Sequence, residues 1–367
     1  MFSNSSIKTA FSSLSSLTIL TQVVFTTDMI TLIDFILKIL IGKDATLHNT
    51  DLYNAITNSS DSRRFALFPL LHHAILHNAS FLPPDILQQA YHANLHRAIR
   101  IEHEVHNITL LLERNGIQSK EIKGQDIERL FYPEFGIRPQ SDIDLLIQPQ
   151  DKLLSRKVLV DNGYAWFISD FGADIYRYND FQFDIHSELI GYRKQIIINE
   201  PFPLTPLFQQ DIFPLELYFL FSCIQYVHEK DDRHMPAIDL FFQAKHTDIR
   251  LIASFTRKHP GVMPYLFFAH FDMLYRFGFS PININGLSLS DKEMILSKKI
   301  NVFAQKKPSL SHRQLFMLYH SGHIIPKLMK IVFPPSRIIQ SSSYVKSRGH
   351  YLKRLLGRVV NSLKPTP

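Results

Sequence analysis

An α+β fold, with a small sheet held between two helical regions, follows from three features of this 367-residue chain. Apolar residues recur at helical spacing from Met29 to Asn115. The pattern then breaks into short β-rich runs between 117 and about 190, and long apolar helices return after Pro201. The length suits about two domains. A hydrophobic content of 45% and an aromatic content of 12% support a substantial core.

In the first region, ITLIDFILKILIG repeats apolar residues at helical intervals and stops at Gly42, and FALFPLLHHAILHNA reads as a second helix. LHRAIRIEHEVHNITLLLERNG carries Leu95, Ile99, Val105, Ile108, Leu111 and Leu112 at spacings of three and four, then ends at Asn115-Gly116. Next, IQSKEIKG predicts a short strand ending in Gly124, and DIERLFYP a brief helix closed by Pro133. IDLLIQ is a β-rich run, followed by the amphipathic DKLLSRKVLVDNG, which stops at Gly163. YAWFI, DIYRY and FQFDIHSEL are candidate strands separated by Asp, Gly and Asn. Beyond Pro201 the helical stretches are PLELYFLFSCIQYVHEK, MPAIDLFFQAK and VMPYLFFAHFDMLYRFGF. The expected organisation is a leader over 1–28 without structural weight and a helical region over 29–115. A sheet-bearing core over 116–200, a helical region over 201–330 and a basic tail over 331–367 follow.

The net charge of +7 belongs to that tail. Arg337, Lys346, Arg348, Lys353, Arg354, Arg358 and Lys364 equal the whole excess, so residues 1–330 are formally neutral. One cysteine, Cys223, excludes an internal disulfide framework and a cysteine-rich zinc site and points to a reducing, cytoplasmic compartment. The uncharged stretch between Lys8 and Asp28 is too rich in Ser and Thr for a membrane span, which wants about 20 predominantly apolar residues. It also lacks a clear signal-peptide cleavage site.

The chemistry concentrates in IKGQDIERLFYPEFGIRPQSDIDLLIQ. Side chains two apart on a strand share a face, so Asp142 and Asp144 project together while Ile143 turns inward. Their Cα atoms lie roughly 6.6 Å apart at about 3.3 Å of rise per residue. Both carboxylates can then converge on ions ~3.5–4 Å apart, as in two-metal phosphoryl transfer. In FQFDIHSEL, Phe181, Phe183 and Ile185 alternate with Gln182, Asp184 and His186. If this strand neighbours IDLLIQ, Asp184 completes a triad, where it binds a metal or accepts a proton from a nucleophile. Upstream, Gly124 admits a tight turn, and the N–H groups of the helix it opens attract phosphate, with Lys123 adding charge.

These residues resemble a known family. Ile122-Lys123-Gly124, Tyr132-Pro133, Arg138-Pro139, Asp142-Ile143-Asp144-Leu145-Leu146-Ile147 and Asp184-Ile185-His186 match, in order, the motifs of the uncharacterised nucleotidyltransferase family of the polymerase-beta-like superfamily. Asn162-Gly163-Tyr164 is similar to that family's Gly-Tyr helix end. The resemblance runs over roughly residues 95 to 250 and includes a weaker helical match around His228 and Asp239. It implies a small mixed-sheet nucleotidyltransferase core. Asp142, Asp144 and Asp184 would hold two Mg2+ or Mn2+ ions and do the catalysis, while Lys123, Gly124, Gln125 and Arg138 contact phosphates. Ser141 and His186 stand beside the ligands. The implied substrates are a nucleoside triphosphate such as ATP and a hydroxyl-bearing acceptor: a small molecule, a peptide or protein, or RNA. Gln125 replaces the serine common in the superfamily, Ser187 replaces a frequent aromatic residue, and Ile224 stands where a histidine sometimes precedes His228.

Competing readings exist for several of these residues. His186 either orients Asp184 or is a structural ring, and Lys123 either reaches phosphate or snorkels from a strand end. Arg138 is either a phosphate contact or a local partner of Asp142. His72, His73, His77, His103, His106, His228 and His234 lack matching cysteines and the His-Glu-x-x-His pattern, and read as ordinary helix residues. Asp239 reads as a helix-pairing residue. The tail's basic amphipathic stretch could meet anionic membrane or nucleic acid, but Gly349 and Gly357 weaken a free-standing helix, so packing on the body is the favoured reading. The alternative to an enzyme is the same fold kept as an inactive binding or regulatory module that contacts nucleic acid through that tail.

Overall fold

A computed structural model describes residues 67–78, 83–170, 173–189, 215–228, 234–258, 261–284, 287–306 and 310–320, with single positions at 36, 37, 39, 40, 208 and 308. The leader, most of the ITLIDFILKILIG helix and the basic tail lie outside the described residues.

The chain divides into two compact units. The first comprises residues up to Arg100 together with Pro133–Pro139. It holds α1 (Phe68–Asn78) and the first half of α2 (Asp85–Arg114). The loop 133–139 is docked within it: Asn94 Nδ2 donates to the carbonyls of Gly136 at 2.7 Å and Arg138 at 3.2 Å. Gly136 has φ 89°, and a Cβ there would come within 2.9 Å of the Leu95 backbone. Only glycine permits that approach.

The second unit comprises Ile101–Tyr132 and the chain from Gln140 onward. Its centre is a five-stranded mixed sheet in the order β1-β2-β5-β4-β3. The strands are β1 (Ser119–Glu121), β2 (Ile143–Ile147), β3 (Ala165–Asp170), β4 (Ala173–Tyr178) and β5 (Phe181–His186). β2 and β5 run parallel, and every other pair is antiparallel. The parallel pair needs a long crossover, supplied by α4 (Lys152–Asp161) and the β3–β4 hairpin. The α+β class therefore holds.

Period-two alternation sorts the residues. On β5, Phe181, Phe183 and Ile185 are buried while Gln182, Asp184 and His186 are part-exposed. The buried set joins Ile143, Leu145 and Ile147 of β2 in a core with Ile101, Val105, Ile108 and Leu112 of α2 and Val158 and Leu159 of α4. Asp144 and Asp184 thereby fall on the opposite face of the sheet from that core.

Two elements frame this other face. α3 (Gly124–Phe131) follows β1 directly. α5 (Leu215–His228) is buried along nearly its whole length. Tyr218 of α5 packs edge-on against Phe131 of α3 and donates its hydroxyl to Asp126. Among the described residues, five more helices follow: α6 (His234–Gln243), α7 (Ile249–Lys258), α8 (Met263–Phe277), α9 (Asp291–Gln305) and α10 (Leu310–His320). No helix among the described residues is long and apolar enough to cross a membrane.

Candidate active site

Adjacency of β2 and β5 was the condition for gathering the aspartates, and the strands meet that condition in register. Asp144 lies opposite Asp184 and Leu146 opposite His186 across the parallel pair. One ligand atom from each of Asp144, Asp184 and His186 lies within 4.8 Å of the others. Asp142 sits one residue outside β2, part-exposed, and accepts a hydrogen bond from Ser141 Oγ at 2.8 Å. It stands beyond that inner cluster but near enough to act on Asp184 through its charge.

β2 is central and buried on both faces, so Asp144 is 7% exposed. A bare carboxylate at that depth would be costly, and two groups relieve it. Lys123 Nζ donates to Asp144 Oδ1 at 2.7 Å, and His186 Nε2 lies 2.6 Å from the same oxygen and 3.3 Å from Lys123 Nζ. Burial alone would push the Asp144 carboxyl up. Lys123 and His186 outweigh it and hold the group well below the usual carboxylate range. Burial and the Lys123 charge together push the His186 imidazole down, toward its neutral form.

Asp184 has the opposite fate. Burial comes first, then repulsion from Asp144 and Asp142, and together they push its carboxyl up to about 6. Its own stabilising contact is the bond that it accepts from Gln182 Nε2 at 3.0 Å. Crowded anions with a shortfall of positive charge are what a divalent cation relieves. The donor set is mostly hard carboxylate oxygen with one imidazole nitrogen, and it fits Mg2+ or Mn2+.

The Lys-Gly turn lies beside these groups. Lys123 is held at φ 60°, ψ −142°, and Gly124 at φ 28°. A Cβ on Gly124 would meet only ordinary contacts, so the turn needs glycine for its backbone angle rather than for space. Lys123 is the residue before the first turn of α3, and its carbonyl accepts from Ile127 N at 2.9 Å. The first N–H groups of a helix have no intrahelical partner. Gln125, the second residue of α3, is buried as a whole. The ring of Phe221 on α5 lies 5.7 Å from Lys123 Nζ.

Arg138 belongs to the first unit, half-buried in the docked loop. Asp239 of α6 accepts from the Tyr132 hydroxyl at 2.6 Å in a buried pair, the helix-pairing role read for it. His228 lies 3.2 Å from the Tyr265 hydroxyl. Three features escaped sequence reasoning. The Lys123–Asp144 ion pair spans 21 residues, the Gln182 contact depends on Asp184 facing it, and Phe221 sits in an unmarked apolar helix.

Matched carboxylates on parallel neighbours, a lysine seated on one of those carboxylates and a glycine turn opening a helix form an arrangement that could hold a cation beside a phosphate. Residues 62–236, a little under half of the chain, match the model of a family described as uncharacterised nucleotidyltransferase. No curated protein and no solved structure matches the chain. A nucleotidyltransferase function, at the level of the class, follows from the family.

Proposed function

We propose that this protein transfers a nucleoside monophosphate from a nucleoside triphosphate to a hydroxyl of an acceptor, with release of pyrophosphate. The observation that carries the reading is the register of Asp144 against Asp184, with Lys123 Nζ seated on Asp144. Asp142, Asp144 and Asp184 would hold two Mg2+ or Mn2+ ions, with His186 beside them. Bound ions would lower the acceptor hydroxyl's pKa and neutralise charge on the departing phosphates.

The chain's own residues supply the rest. Asp184 either holds the ion on the acceptor side or takes the acceptor's proton, and Gln182 fixes its carboxylate for either task. Lys123 offers an ammonium that can turn from Asp144 to a phosphate. The N–H groups at the start of α3 would orient the same phosphates, and Ser141 fixes the Asp142 carboxylate. A cytoplasmic setting accords with the buried free thiol of Cys223.

A second reading, an inactive binding module, is favoured by one observation: the Lys123–Asp144 pair neutralises the buried carboxylate without any ion. One experiment separates the two. Full-length protein is incubated with each labelled triphosphate, Mg2+ or Mn2+ and a cell extract, and the labelled acceptor is identified. Label that disappears in Asp144→Asn and Asp184→Asn supports the enzyme. Absence of label in every combination, with triphosphate binding indifferent to the divalent ion, overturns it.

A further inference from the structure

The first compact unit carries a cluster of ligand-type side chains, independent of the nucleotidyltransferase reading. His73 and His77 are four apart on α1, which puts both rings on one helix face. Their ring centroids are 4.5 Å apart. Both meet Glu134, from the loop docked in the same unit and 57 residues beyond His77. His77 Nε2 lies 2.9 Å from Glu134 Oε1, and His73 Nδ1 lies 3.2 Å from Glu134 Oε2. One ligand atom from each of the three residues lies within 4.8 Å of the others.

Those distances bear on what can sit between them. Zinc binds imidazole nitrogen at about 2.0–2.1 Å and carboxylate oxygen at about 2.0–2.2 Å, so two ligands of a tetrahedral ion stand about 3.3 Å apart. The observed nitrogen–oxygen separations fall within a few tenths of an ångström of that value. A small opening of the cluster would therefore replace shared protons by an ion. The burial is graded as a metal site needs. His73 is 8% exposed at its side chain, which fixes one ligand in the packed interior. His77 and Glu134 are 47% and 37% exposed, which leaves an entry path and room for a water as fourth ligand. Two imidazoles and one carboxylate are also the three-ligand composition of an open zinc site. The donor set favours a borderline transition ion over Mg2+, which prefers oxygen and retains its waters.

We propose that His73, His77 and Glu134 bind a divalent transition-metal ion, zinc being the best match, and so clamp the 133–139 loop onto α1. The loop is already held to α2 by Asn94, and the ion would add a second, chemically switchable attachment.

The test uses full-length protein dialysed against micromolar Zn2+ in excess Mg2+, with zinc per chain measured by elemental analysis. Wild type should retain one ion per chain. His77→Ala and Glu134→Gln, both at part-exposed positions and checked for folding by circular dichroism, should bind zinc at least ~100-fold more weakly. That exceeds most of the 10–100-fold range for an outer partner of a metal ligand. Asp144→Asn with Asp184→Asn should keep the ion, and Co2+ in place of Zn2+ should give the absorption band of a four-coordinate ion with mixed nitrogen and oxygen ligands in wild type but not in His77→Ala. No bound zinc in wild type, equal zinc in both variants, or loss only in the double aspartate variant would each overturn the proposal.

Discussion

Replacing Asp184 by asparagine should stabilise the metal-free protein while removing what the site is for. The Asp184 carboxyl rises from an ordinary 3.8 to about 6, first through burial and then through Asp144 and Asp142. A shift of about 2 pH units corresponds to about 3 kcal/mol of unfavourable charge in the folded state above pH 6. The sign follows from linkage. A carboxyl whose folded pKa exceeds its unfolded one contributes stability that is complete below about pH 4 and is lost as pH rises through about 6. Asparagine has no charge to bury. It does weaken the bond from Gln182, whose acceptor ceases to be an anion, at a cost of about 1 kcal/mol. The net gain is about 1–2 kcal/mol at pH 8, on the order of a 2–4 °C rise in melting temperature, and it should vanish near pH 4. Under the proposed function, saturating Mg2+ should reverse the order. At 100 times its Kd a ligand adds about 2.7 kcal/mol to the wild type, and the variant should gain far less. Thermal melts in EDTA and in Mg2+, at pH 4 and pH 8, read all four quantities. A variant less stable than wild type at pH 8 in EDTA, or one stabilised equally by Mg2+, would refute the reasoning.

Further outcomes can be checked alongside. Lys123→Met leaves Asp144 buried beside a neutral chain and should cost about 3 kcal/mol in EDTA, with partial recovery in Mg2+; urea midpoints measure both. Gly136→Ala should cost more than about 2 kcal/mol, because its Cβ would press on Leu95, whereas Gly116→Ala, with nothing within 4 Å, should cost only the roughly 1–2 kcal/mol of its left-handed backbone. Cys223 is fully buried and burial pushes its thiol far up, so an alkylating reagent should leave native protein untouched at pH 8 and modify it in urea.

The local level was the most legible. Alternation in FQFDIHSEL put Phe181, Phe183 and Ile185 on the core face and Asp184 on the other, and β5 has that pattern. The family motifs named the aspartates in order, but their matched register is set by β2 running parallel to β5, which no local pattern specifies. A histidine pair four apart was visible as His73 and His77; Glu134 was not, since only the docking of loop 133–139 brings it there. Helices α7, α9 and α10 were passed over, although Ser290 and Glu293 spell a capping box at the start of α9 and form one. The apolar periodicity of α9 and α10 is weak, so caps are the better signal there, whereas α7 is strongly amphipathic and was legible from its pattern.

The Lys-Gly turn shows why motif and mechanism meet at one residue. Lys123 occupies a backbone region that costs a non-glycine residue on the order of 1–3 kcal/mol, so something must hold it there. Asp144 does so twice. Its carbonyl accepts from Ile122 N at 3.1 Å, and its carboxylate accepts from the Lys123 ammonium at 2.7 Å. The α3 ladder adds the bond from Ile127 N to the Lys123 carbonyl. A turn serving only to join β1 to α3 could place glycine at both positions and avoid the strain. Retaining a lysine in the strained position fixes an ammonium over the β2 carboxylate, where it neutralises Asp144; under the proposed function the same ammonium would turn to a phosphate.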